Sequence, residues 1–71
     1  MVTIEIEGED RLRFEGLLHE WQRMDHGPGI EIGSSYQSGD SPTPGKLIYH
    51  GLSAGLPAFL RLRGFTDFRV V

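Results

Sequence analysis

The chain has 71 residues, a net charge of −3, three histidines and no cysteine. It therefore has room for one domain, residues 1–71, whose core is marginal by itself. Disulfides and a cysteine-based zinc site are excluded, and His19, His26 and His50 are too scattered for a metal cage, so no metal or cofactor is expected. Oligomerisation is then the expected support, most simply as a homodimer.

Val2, Ile4 and Ile6 alternate with acidic residues, which predicts a strand with one buried face that ends at Gly8. Glu9 and Asp10 place negative charge where a helix begins. Phe14, Leu17, Leu18, Trp21 and Met24 then form one apolar stripe, predicting a helix over residues 10–24. On its wet side Glu9 and Arg13 are four apart, and Glu20 and Arg23 three apart, as in helical ion pairs. Gly27 and Pro28 provide a stop.

Ile30, Glu31 and Ile32 start a second strand, expected to reach Tyr36. Residues 37–45 hold Ser, Gly, Asp and Pro in the density of a loop, and Lys46 to His50 reads as a third strand. The two strands make a hairpin with a long tip, whose partial removal (residues 38–43) should cost little stability. Leu56, Phe59, Leu60 and Arg63 fit a second helix, begun by Ser53 or by Pro57 and closed by Gly64. Leu60 to Arg63 also alternates like a strand, but lacks β-branched residues, so helix is the better reading. Phe68 and Val70 mark a last strand.

This element order resembles the ferredoxin-like split βαββαβ sandwich, a four-stranded antiparallel sheet with two helices on one face and an α+β fold. In that sandwich the last strand lies antiparallel to the first at the sheet edge. Arg69 then shares the open face with Glu5 and Glu7. The rival topology, a hairpin of residues 60–63 with 68–70, places Arg69 opposite Arg61 or Leu62.

No apolar run approaches the roughly 20 residues of a membrane span. The opening residues lack the basic and apolar regions of a signal peptide. A soluble, cytoplasmic protein is expected. Charge is uneven: eight acids and three arginines leave −5 in residues 1–35, and two acids and four bases leave +2 in residues 36–71. Such asymmetry can orient self-association or steer a basic partner.

No catalytic motif emerges. Residues 39–46 imitate a phosphate loop, yet five residues separate Gly39 from Gly45, Leu47 follows Lys46, and two prolines remove amides. Ser41 lacks the strand-to-helix elbow of a nucleophilic serine. Trp21 falls inside the helical stripe, so packing explains it better than ligand stacking. Glu5 and Glu7 on a central strand repel phosphate, which disfavours nucleic acid despite Arg61, Arg63 and Arg69.

The residues expected to bind a partner are Glu5, Glu7, His50 and Arg69 on the open face, with Asp40 and Lys46 at the hairpin tip. If Leu47 and Tyr49 face inwards, His50 faces outwards towards Glu5 and Glu7, a His–carboxylate cluster. These residues suit a small non-catalytic module that engages another protein or a second copy of itself. The alternative is a small-molecule or simple acid/base site of the dimeric α+β barrel type, using His50, with aromatic residues such as Trp21 and Tyr36 lining a cavity.

Overall fold

Alternation puts Ile4 and Ile6 on one side of β1 (Val2–Glu7) and Glu5 on the other. A single 3-10 turn, Gly8–Asp10, leads into α1 (Arg11–Arg23), and the chain continues through β2 (Gln37–Asp40), β3 (Lys46–Leu52), α2 (Leu56–Leu62) and β4 (Phe68–Val70). The computed structural model describes residues 1–24 and 36–71. The strand expected over residues 30–36 and the helix stop at Gly27 and Pro28 therefore lie outside the described residues, apart from Tyr36.

The four strands form one antiparallel sheet in the order β2-β3-β1-β4. With the two α-helices of the described residues, the fold is α+β. β4 pairs with β1, Ile4 facing Val70, Glu5 facing Arg69 and Ile6 facing Phe68. This pairing removes the rival hairpin topology, because residues 60–62 are helical and Arg69 lies opposite Glu5. Between β1 and β3 the register shifts between Val2 and Ile4, where Gly51 takes φ 75 in a bulge.

One element is new to the sequence reading. Residues 37–40, taken as loop, are strand β2 and pair with β3 from Gln37 opposite His50 to Asp40 opposite Leu47. All four are exposed, so they sit at the sheet edge on backbone hydrogen bonds rather than on a buried face. The hairpin tip shrinks to residues 41–45. Deleting residues 38–43 would remove paired strand, so the small cost expected for that change does not hold.

Helix α1 buries Phe14, Leu18 and Trp21. Leu17 is half-buried and packs on the core, while Met24 is exposed, one residue beyond the helix. Helix α2 buries Leu56, Pro57, Phe59 and Leu60. The Ser53 carbonyl accepts the Leu56 N–H at 3.1 Å, so Ser53 sits in the turn ahead of the helix, with Pro57 in its first turn. At the far end Gly64 takes φ 79, and the Phe65 N–H closes back onto the Leu60 carbonyl at 2.9 Å, the Schellman arrangement.

Both helices join Ile4, Ile6, Tyr49 and Phe65 in one core. Its aromatic rings touch in sequence: Phe14 lies 4.6 Å from Tyr49 and 6.1 Å from Phe65, and Trp21 lies 5.2 Å from Phe59. Every buried side-chain nitrogen or oxygen among the described residues has a hydrogen-bond partner. Among those residues no helix is long and apolar enough to cross a membrane.

Candidate functional site on the outer sheet face

Because Ile4, Ile6 and Tyr49 point into the core, alternation turns Thr3, Glu5, Glu7, Lys46, Ile48 and Arg69 to the sheet's other face. Glu5 occupies the middle of that face, opposite Ile48 on one side and Arg69 on the other. It is only 4% exposed although it is a carboxylate. A buried carboxylate needs hydrogen bonds and charge partners, and Glu5 has both. Its Oε1 accepts from Arg69 Nη2 at 2.9 Å, and its Oε2 accepts from the Ser41 hydroxyl.

The Ser41 hydrogen bond is the main force holding the Glu5 carboxyl below the usual carboxylate range. Burial pushes the other way, and the charges of Arg69 and Lys46 add to the lowering. Glu5 therefore stays ionised under ordinary conditions. Next along the strand, Glu7 pairs with Lys46 at 3.5 Å.

Ser41 reaches Glu5 because the tip is itself ordered. The Ser41 N–H donates to the Lys46 carbonyl at 3.1 Å, and its Oγ accepts the Thr43 N–H at 3.1 Å. The Gly45 carbonyl accepts the Gly8 N–H at 2.8 Å, tying the tip to the end of β1. Ser41 was visible in the sequence only as a rejected nucleophile. Its role as the partner of Glu5 depends on how the tip curls, for which the sequence carries no signal.

The structure divides the expected binding residues among three surface depressions. Glu5, Glu7, Lys46 and Arg69 line one open groove of about 500 Å³. Glu9, Asp10, Thr66 and Asp67 extend it around the start of the helix, a contribution that the sequence reading missed. His50 lies in a second depression with Met1, Tyr36 and Gln37. Asp40 belongs to a third, beside Ser41 and Pro44, with Lys46 shared between it and the first.

The expected cluster of His50 with Glu5 and Glu7 does not form. His50 is exposed, as expected, but its Nδ1 lies 3.3 Å from Thr3 Oγ1, and Glu5 is taken by Ser41 and Arg69. The helical ion pairs also differ. Glu20 pairs with Arg63 just beyond α2, Arg11 with Glu15 at 3.0 Å, and Arg13 donates to the Gly64 carbonyl at 3.2 Å. Arg11 and Glu15 pair along α1, four residues apart, while Glu20 and Arg13 reach across to the end of α2. Among the described residues no group of three or more His, Asp or Glu side chains is placed to hold a metal ion.

No family model matches the chain, and it matches neither a curated protein nor a solved structure.

Proposed function

We propose that the chain is a small non-catalytic protein-binding or regulatory module, built as a ferredoxin-like sandwich, that acts through its outer sheet face and hairpin tip. The strand order with antiparallel neighbours supports that fold name. The observation that carries the functional reading is the fixed polar surface centred on Glu5. Its charges are already paired, Glu5 with Arg69 and Glu7 with Lys46, around a half-buried Ile48. A preorganised face gives up little side-chain freedom on binding, and its charge pattern favours some partners over others. Glu9, Asp10 and Asp67 at the rim form no ion pair among the described residues, which favours a basic partner surface. The position of Ser41 also supports a non-catalytic role, since its hydroxyl donates to a carboxylate while His50 sits in another depression.

Affinity capture followed by mass spectrometry tests this reading. Proteins retained by the native chain should be lost with a Glu7→Lys, Ile48→Arg double variant and kept with Leu62→Lys on the exposed side of α2, circular dichroism confirming that both fold. Retention by the sheet variant together with loss by the helix variant would move the binding surface to the helices.

The homodimer is part of the same proposal, because the described core is small and has no cysteine to cross-link it. Dilution should lower the melting temperature if dimerisation is coupled to folding. A concentration-independent melt with a monomer mass by light scattering would remove the dimer.

A further inference from the structure

One carboxylate holds two separate parts of the chain. The Oε1 of Glu5 takes Arg69 on β4, at one edge of the sheet, while its Oε2 takes Ser41 at the hairpin tip. Both parts have other ties, which limit how far they can loosen: β4 also pairs with β1 and packs Phe68 on the core. β4 has three residues, and beyond them the Val71 N–H donates to the Thr3 carbonyl at 2.9 Å. The tip beyond Ser41 is exposed over residues 42–45, and its other tie to β1 is the Gly8 to Gly45 hydrogen bond.

We infer that Glu5 is a shared latch, which holds the hairpin tip and the C-terminal edge strand down together while ionised and loosens both when protonated. The coupling follows from the shared group. With both oxygens occupied the carboxylate has a fixed orientation, and losing either partner frees it to turn away from the other. Protonation weakens both contacts at once, because a charge-assisted hydrogen bond is roughly twice as strong as a neutral one.

The charged groups around Glu5 set the direction. Arg69 faces it from β4 and Lys46 from β3, and both charges favour the ionised carboxylate. Glu7 on β1 is paired with Lys46, and Glu9, Asp10 and Asp67 line the same groove. A carboxyl lowered by folding stabilises the attached state above the usual carboxylate range and loses that effect as pH falls through the lowered value. The latch is therefore closed at neutral pH and opens in acid. This inference concerns the fold alone and stands whether or not the face binds a partner.

Amide hydrogen exchange on the intact chain tests it. Ser41→Ala should speed exchange by about fivefold at Val71 as well as at Gly8 and Lys46, and Arg69→Gln should do the same at Gly8 and Lys46 as well as at Val71. Effects confined to each variant's own edge would overturn the coupling. In the native chain, protection factors at both edges should fall together at the pH where the Glu5 carboxyl carbon titrates by NMR. Separate transitions, or loss at a different pH, would overturn the acid control. Glu5→Gln should show fast exchange at both edges already at neutral pH. Should that variant not fold, the two edge variants and the native titration still decide.

Discussion

Trp21→Ala should destabilise the protein by about 3–5 kcal/mol, the range for removing a large aromatic ring from a core. Trp21 is 8% exposed and lies in the last turn of α1, where its ring packs 5.2 Å from that of Phe59 on α2. Gly55, just ahead of α2, leaves room for the indole: a Cβ there would come within 3.2 Å of its Cη2. Trp21 thus joins the end of one helix to the beginning of the next. Denaturant unfolding of the variant and the native chain measures the difference. A loss below about 1 kcal/mol would mean that the site refills and that Trp21 is not a core residue. The same ring explains why α1 was the plainest element in the sequence, for a stripe through Phe14, Leu18 and Trp21 has one helical explanation.

Side-chain periodicity revealed the elements that bury a face and concealed the one that does not. β1 and α1 each turn an apolar set inwards, so their patterns survive in the sequence. β2 has the composition of a loop because its four exposed residues contribute backbone pairing alone, and backbone groups leave no mark on residue type. The ambiguity at residues 60–63 is resolved by where the leucines go. A strand would put Leu60 and Leu62 on one face, whereas Leu60 is 0% exposed and Leu62 is 85% exposed. A helix separates them by about 200°, and Leu60 shares its buried face with Leu56 and Phe59.

The site was legible to the extent that strand register sets it. Once Ile6 and Phe68 are turned inwards as a pair, Glu5 and Arg69 must meet on the other face, and they do. Ser41 escaped because its position follows from the turn after β2, an element the composition hid. His50 was placed on the correct face, but the bulge at Gly51 changes the β1 to β3 register beside it, and its contact is Thr3. Register arguments carry through regular pairing and stop at a bulge or a turn.

Phe14→Ala should also cost about 3–5 kcal/mol, while Tyr49→Phe, at the neighbouring ring, should cost about 0.5–1.5 kcal/mol. Phe14 is 0% exposed and touches both Tyr49 and Phe65, so its removal opens the centre of the core. Tyr49→Phe keeps the ring and removes a hydroxyl that donates to Glu15 at 2.7 Å, leaving that carboxylate its contact with Arg11. The two variants also separate in their pH dependence. Burial above all, then the hydrogen bond and charge of Glu15, push the Tyr49 hydroxyl well above the ordinary tyrosine range. Its contribution is therefore full below about pH 10, where an unfolded tyrosine ionises, and is lost as pH rises further. The Glu15 carboxyl is held low, chiefly by the Tyr49 hydroxyl and next by Arg11. That contribution is full above the usual carboxylate range and lost as pH falls through the lowered value. Unfolding midpoints measured from acid to alkali should accordingly fall less at both ends for Tyr49→Phe than for the native chain, and Phe14→Ala should lower the whole curve while keeping its shape. Identical alkaline losses in Tyr49→Phe and the native chain would show that the hydroxyl does not link folding to pH.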